Sequence, residues 1–135
     1  MLNLVVVILM LLLPGTLQAA SIKNEDAVKA ILGEAEDQGY SGMLAVAVGI
    51  RNRGTLHGVI GLRSKRVARG KVKRVYWIMA RKAWLESKWN RTHTGDHWEN
   101  VRKFGKPTWS GKMQEVAVVG DHVFYKSKPS KPSKR

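Results

Sequence analysis

The segment Gly33-Glu34-Ala35 places one carboxylate at the edge of an apolar helical face. Ile31 precedes Glu34 by three residues, so the two side chains are neighbours on a helix. Partial burial of a carboxyl group raises its pKa, which a general acid requires. The small residues Gly33 and Ala35 leave room for a substrate to approach. Glu34 is therefore a candidate for a catalytic acid, and the alternative is an ordinary glutamate on a helix surface.

A second group that could do chemistry is the run His93-Thr94-Gly95-Asp96-His97. Its spacing differs from the His-Glu-x-x-His helix of zinc proteases, and Thr94-Gly95 disfavours a helix that would bring both rings to one face. We predict no metal here and assign these side chains to hydrogen bonding or to a groove. The chain has no cysteine, which excludes thiolate metal sites and a cysteine nucleophile. It also lacks a nucleophile-elbow serine and a glycine-rich phosphate loop, so we expect no cofactor.

Five tryptophans are many for a chain of 135 residues. Trp77 and Trp84 fall on a predicted helix, where core packing is the simplest interpretation. Trp98 and Trp109 fall in an irregular polar segment, where an aromatic face could be buried or could stack on a sugar ring. The sequence leaves both roles open for this pair.

Three blocks of the chain, taken in order, resemble the SleB-type cell-wall hydrolases, the spore-cortex-lytic enzyme family. The first block consists of Ile31-Leu32-Gly33-Glu34-Ala35, Gly42-Met43-Leu44-Ala45-Val46-Ala47 and Asn52-Arg53. The second consists of Ala83-Trp84-Leu85-Glu86-Ser87, the run from Thr92 to Asn100, and the run from Phe104 to Trp109. The third is Met113 with Gly120-Asp121-His122-Val123-Phe124-Tyr125. The resemblance extends from Asn24 to Lys126.

The resemblance implies a small, mainly helical, lysozyme-like α+β domain that cleaves peptidoglycan glycan strands with Glu34 as the catalytic acid. It implies substrate contacts for the residues that fall on the family motifs, namely Asn52, Thr92, Thr94, Asp96, Trp98, Trp109, His122 and Tyr125. The chain departs from the family where its first two blocks are joined by an unusually basic segment. It also has Thr94-Gly95 where the family has Gly-Ala.

A single acid fits a lytic transglycosylase better than a two-carboxylate glycosidase. Such an enzyme protonates the glycosidic oxygen and then takes a proton from the C6 hydroxyl of the same sugar, which leaves a 1,6-anhydromuramic end. A muramidase is the nearest variant of this function. Two further alternatives are an N-acetylmuramoyl-L-alanine amidase, a label that the family has also carried, and a non-catalytic basic protein that binds the envelope or nucleic acid.

Apolar periodicity predicts the elements that position these residues. A first helix begins with Asn24 as its cap and ends near Gly39, and Ser41 caps a second helix that is buried from Met43 to Ile50. A third helix is predicted from Tyr76 to Trp89. The basic run from Arg51 to Arg74 is typical of a solvated loop. Two strand-like runs, 115–119 and 122–125, flank Gly120-Asp121 and predict a C-terminal β-hairpin.

The N-terminal 20 residues have the composition of a signal peptide. Leu4 to Leu13 is apolar, Pro14-Gly15 interrupts it, and small residues follow near Ala20. An uncleaved membrane anchor is the alternative. We predict three parts: a signal peptide at 1–20, a cell-wall hydrolase domain at 21–126, and a basic disordered tail at 127–135. The protein is then exported to the periplasm, the cell wall or the medium.

Charge indicates an anionic partner. Lysine and arginine number 24 against 10 acids, a formal net charge of +14. For an exported protein the available polyanions are envelope polymers, so we expect these to bind the basic surface, with no requirement for nucleic acid. We expect a monomer.

Overall fold

The first helix, α1, spans Asn24–Ala35 in the computed structural model, which describes residues 21–128. Its apolar stripe, including Ala27 and Ile31, is buried against the other helices. The predicted cap is wrong by one residue, because Lys23 holds the cap position and makes no side-chain cap bond. Asn24 lies inside the helix, and its Oδ1 accepts a hydrogen bond of 2.8 Å from the indole Nε1–H of Trp84.

The second helix, α2, spans Gly39–Arg53 and forms the centre of the core. Every residue from Gly42 to Ile50 is buried, which confirms the prediction from its apolar sequence. Gly39 opens this helix instead of ending α1, and Ser41 lies within its first turn. The turn between the two helices therefore lies earlier in the chain than predicted, at 36–38, because α1 already ends at Ala35.

The basic run after α2 is more ordered than a solvated loop. It contains a 3₁₀ turn at Ile60–Arg63 and the short helix α3 at Lys65–Ala68. Val59 and Gly61 are buried, as are Val67 and Val72 further on. These apolar residues hold the segment against α1, while its cations face solvent.

The long helix α4 spans Arg74–Glu86, two residues ahead of the predicted start and three short of the predicted end. Trp84 is buried, as predicted, and Trp77 is half-buried against the core. The Arg51 guanidinium lies 3.6 Å from the Trp84 ring centre and donates to the Trp84 carbonyl oxygen. This contact joins α2 to α4.

A three-stranded antiparallel sheet closes the fold. The predicted hairpin is confirmed as β2, Met113–Val119, and β3, His122–Ser127, with Val119 opposite His122. An unpredicted strand, β1 at His97–Asn100, pairs with the other side of β3. A short helix, α5 at Val101–Phe104, and a 3₁₀ turn at Thr108–Lys112 connect β1 to β2.

The architecture is the predicted mainly helical α+β class. Within residues 21–128, no helix is both long and apolar enough to cross a membrane. The predicted signal peptide and nearly all of the predicted tail lie outside the described residues. The C-terminal boundary shifts slightly, because β3 continues to Ser127.

Candidate active site

Glu34 lies in the last turn of α1, half-buried, with a hydrogen bond on each carboxylate oxygen. The backbone N–H of Gly61 donates to Oε1 over 2.7 Å. The indole Nε1–H of Trp98 donates to Oε2 over 3.3 Å. The bond to Oε1 is short and the bond to Oε2 is long, so Oε2 is the oxygen better able to carry a transferable proton.

The bond from Gly61 depends on two glycines that face each other. A Cβ on Gly33 would overlap the backbone of Gly61, and a Cβ on Gly61 would lie 2.5 Å from Cγ of Glu34 and 2.7 Å from the carbonyl oxygen of Ala30. The absence of both side chains lets the 60–63 turn lie directly on α1. The backbone of that turn thereby reaches the carboxylate.

Trp98 is positioned by a third glycine. Its ring lies on Gly49 of α2, where an added Cβ would come within 2.9 Å of the indole. The ring also packs beside Phe124, with the ring centres 6.2 Å apart. Strand β1 thus rests on the central helix and presents the indole N–H to Glu34.

Burial raises the pKa of Glu34 above the ordinary value for a glutamate. Desolvation is the largest effect, and the nearby negative charge of Glu99 acts in the same direction. The hydrogen bonds from Gly61 and Trp98 lower the pKa, as does the positive charge of Arg53, but they do not outweigh burial. The raised pKa agrees with the place predicted for Glu34 at the edge of an apolar helical face.

Glu34 faces a cleft of about 1150 Å³. One wall is the end of α1, a second is the segment 58–66, and the facing wall comes from β1, α5 and the start of β3. Of the residues for which the resemblance implies substrate contacts, Trp98 and His122 line the cleft, together with His97 and Glu99. Trp109 also lines it, packed edge-on against Tyr125 at 5.2 Å between ring centres.

His122 is a buried histidine on the cleft wall with one unused nitrogen. Its Nδ1 has no hydrogen-bond partner among the residues that the structure describes. Burial lowers the pKa of His122, although the charges of Asp37 and Asp121 act in the opposite direction. A neutral imidazole on the cleft wall is suited to hydrogen bonding with a polar group.

Five of the predicted substrate-binding residues lie outside the cleft: Asn52, Thr92, Thr94, Asp96 and Tyr125. Asn52 instead donates from Nδ2 to the carbonyl oxygens of His93 and Gly95, at 3.0 and 2.9 Å. Asp96 accepts from His97, and Tyr125 is buried behind Trp109. The backbone N–H of Asp96 also donates to the carbonyl oxygen of Tyr125 at 3.0 Å, so Asn52 and Tyr125 hold the segment that leads into β1.

The histidine pair is not arranged as a metal site. His93 is buried; its Nε2 pairs with the carbonyl oxygen of Ala45 at 2.8 Å, and its Nδ1 accepts from the Gly95 N–H at 3.0 Å. Burial also lowers the pKa of His93. Within residues 21–128, no group of three or more potential ligands is clustered to hold a metal ion.

Two site residues escaped the sequence analysis. Gly61 was assigned to a solvated loop, although the apolar island Val59-Ile60 within that basic run is a sign of packing. Glu99 was quoted within a motif but given no role, because its proximity to Glu34 depends on the pairing of β1 with β3.

Two solved structures have a similar fold. The catalytic domain of the germination-specific lytic transglycosylase SleB from Bacillus anthracis has a TM-score of 0.57 and 24% identity, covering 79% of this chain and 98% of that one. The catalytic domain of SleB from Bacillus cereus has a TM-score of 0.55 and 24% identity, covering 78% and 92%. The chain has the fold of a SleB catalytic domain. This confirms the SleB-type resemblance at the level of fold. Neither a protein-family profile nor a curated protein sequence matches the chain.

Proposed function

We propose that this protein cleaves the glycan strands of peptidoglycan and that Glu34 is its general acid and base. The observation that carries the proposal is a half-buried carboxyl group on a cleft wall, with a raised pKa and one weakly bonded oxygen. The SleB fold supports the substrate class, because one of the two similar structures is described as a lytic transglycosylase.

In this mechanism Glu34 gives its proton to the oxygen that joins N-acetylmuramic acid to the next sugar. The bond between that oxygen and the anomeric carbon breaks, and positive charge develops on the muramic ring. The Glu34 carboxylate then takes the proton of the C6 hydroxyl as its oxygen attacks the anomeric carbon. The products are a free hydroxyl on one strand and a 1,6-anhydromuramic end on the other, and Glu34 is protonated again.

Other cleft residues would hold the sugars. Trp109 is partly exposed and offers an aromatic face to a sugar ring. His122 lines the cleft, and its imidazole would bond a hydroxyl or acetamido group there. Trp98 both lines the cleft and holds Glu34. We retain the substrate-binding role for these three residues.

Hydrolysis by water is the second candidate, and Glu99 is the observation that favours it. Glycosidases that hydrolyse their substrate usually have two catalytic carboxylates in one cleft. In that case Glu99 would activate water on the anomeric carbon, and the new end would be a reducing sugar. The amidase alternative would instead release peptides and would depend on a metal.

The test is digestion of purified sacculi, followed by mass spectrometry of the released muropeptides. Wild type should release anhydro ends, while Glu34→Gln should lose about 10²- to 10⁴-fold in rate, the contribution of a positioned proton donor. The control Glu115→Gln changes an exposed glutamate on β2 and should keep full activity. Full activity in Glu34→Gln would refute the assignment. Reducing ends would favour hydrolysis, and peptide release blocked by a chelator would favour the amidase.

We further propose that the protein acts outside the cytoplasm, where its substrate is located. The predicted signal peptide would export it, and the basic surface would hold it on anionic envelope polymers. We propose a monomer, since the cleft is formed by a single chain.

A further inference from the structure

The outer side of α4 carries an exposed apolar stripe. Val75, Ile78 and Leu85 are 54%, 55% and 53% exposed, and Trp89, just beyond the helix, is 68% exposed. The three helical residues recur at a spacing that places them on one side of α4. We call Val75, Ile78, Leu85 and Trp89 the α4 stripe. None of them lines the cleft.

Cations surround the α4 stripe. Between residues 71 and 89 the charged side chains are those of Lys71, Lys73, Arg74, Arg81, Lys82, Glu86 and Lys88. Glu86 is the one acid in this range, and it is half-buried and accepts hydrogen bonds from Tyr40 and Asn90. Arg81 pairs with Glu25 at 3.3 Å, on an exposed surface where such a pair is weak. The exposed surface of α4 therefore combines apolar residues with cations that lie among them and beside them.

This combination matches one type of partner. A helix with an apolar stripe flanked by lysine and arginine lies in the interface of a bilayer, with the apolar residues among the acyl chains and the cations at anionic headgroups. A glycan or nucleic-acid polyanion would neutralise the cations but would leave Ile78 and Leu85 in water. A bilayer surface would contact both the apolar residues and the cations.

The course of the chain adds a second argument. The apolar run from Leu4 to Leu13 precedes the described residues, which begin at Ser21. The start of α1 then contacts the second half of α4, where Asn24 accepts from Trp84 and Glu25 pairs with Arg81. Leu85 lines a small groove together with Asn24 and Glu25. The start of the described chain therefore lies beside the α4 stripe.

We propose that the α4 stripe docks this domain on the surface of an anionic lipid bilayer. The cleft stays accessible in this arrangement, because Tyr76, the residue of α4 that lines it, points about 160° away from Ile78 around the helix. A docked enzyme would meet the glycan layer next to the membrane.

The test uses the full-length chain. It measures bilayer contact at the stripe itself, so that lipid binding by residues 1–20 does not dominate the signal. Because the chain has no cysteine, Trp89→Cys labelled with an environment-sensitive fluorophore reports on a single position. Gln114→Cys, on the exposed side of β2, is the control position. Vesicles of phosphatidylcholine mixed with phosphatidylglycerol should shift the emission of the label at 89 but not at 114. Pure phosphatidylcholine should give a much weaker response.

Variants of the chain labelled at position 89 then separate the apolar contribution to vesicle binding from the electrostatic one. Ile78→Ser with Leu85→Ser should weaken the vesicle response about tenfold, since both side chains leave the acyl boundary. The matched control Val118→Ser removes an equally exposed apolar residue on β2 and should have no effect. Lys82→Gln and Lys88→Gln should each weaken the response about fivefold. Turnover of soluble glycan strands should be unchanged in all of them.

Three results would overturn the proposal. The label at 89 could ignore anionic vesicles, or the double serine variant could bind them as well as wild type does. Alternatively, the emission could shift with protein concentration in the absence of lipid, which would mean that a second copy of the chain covers the stripe. Loss of glycan cleavage by Glu34→Gln is a separate outcome, so docking and catalysis can fail independently.

Discussion

At the scale of single residues, the hydrogen-bond donors on Glu34 and the negative charge of Glu99 act on its pKa in opposite directions. Gly61 and Trp98 stabilise the carboxylate by hydrogen bonds, and Glu99 destabilises it by repulsion. A general acid must be protonated at the start of the reaction, so its rate falls as the pH rises through its pKa. The neighbours of Glu34 should therefore set the upper pH limit of activity.

Two substitutions should move that limit in opposite directions. Glu99→Gln removes a negative charge that raises the pKa of Glu34, so the falling limb of kcat/KM should move to lower pH. Trp98→Phe removes a donor that lowers the pKa, so the limb should move to higher pH. The measurement is the pH profile of kcat/KM on soluble glycan strands. Shifts in the same direction, or a shift with the control Glu115→Gln, would contradict this account of the site.

The partial burial and raised pKa of Glu34 were predictable from its neighbours along the chain, whereas its partners were not. The small residues beside it and its place next to Ile31 are local features that a sequence displays. Gly61 and Trp98 are 27 and 64 residues away, and their donors reach Glu34 only after tertiary packing. Asn52 and Tyr125 illustrate the same limit. Both lie within motifs that resemble the family, but tertiary packing places them behind the cleft wall.

At the scale of elements, the contact between α1 and the 60–63 turn is the feature on which the site depends. Gly61→Ala would place a methyl group against Cγ of Glu34 and the carbonyl oxygen of Ala30. We expect a loss of about 1–3 kcal/mol in the free energy of unfolding, as for other overpacked sites, together with reduced turnover as the N–H leaves Oε1. Chemical denaturation and strand cleavage would measure the two effects.

Gly111→Ala is the matched control for this change. A Cβ at Gly111 would meet no atom within 4 Å, so stability and turnover should be close to wild type. Equal stability of the two alanine variants would show that the turn does not need its close approach to α1.

Apolar periodicity identified α1, α2, α4 and the hairpin because each buries a regular face of its own. It missed β1, whose sequence is His-Trp-Glu-Asn and whose conformation depends on pairing with β3. Helix ends were also misplaced: Asn24 and Ser41 are good capping residues, but both lie inside their helices. Capping propensity is worth about 1 kcal/mol and is easily overridden by packing.

At the scale of the whole molecule, the net charge of +14 should govern how the protein adsorbs to its substrate. Exposed cations are screened beyond about 8 Å at physiological ionic strength, so binding to sacculi should weaken steeply as salt is added. Removal of residues 129–135 deletes Lys131, Lys134 and Arg135 and should weaken binding further. Turnover of soluble strands should not change, because the cleft lies within 21–128.

Cosedimentation with sacculi at low and high salt would measure this effect. The truncation begins after Lys128, because β3 continues to Ser127 and Lys128 donates to the carbonyl oxygen of Gly111. Equal binding at both salt concentrations would show that the charge is incidental to adsorption.

The burial of Glu34 also has a consequence for thermal stability. In the unfolded chain this carboxyl is hydrated and titrates near its ordinary pKa of about 4.3, whereas the folded protein holds the proton more tightly. Protonation of Glu34 therefore favours folding: the contribution is complete below the unfolded pKa and is lost as the pH rises through the folded pKa. Glu34→Gln removes this titration, so its melting temperature relative to wild type should rise between acidic and neutral pH. A constant difference across that range would contradict the raised pKa. The same burial that prepares Glu34 to donate a proton makes the contribution of this residue to stability smaller in neutral than in acidic solution.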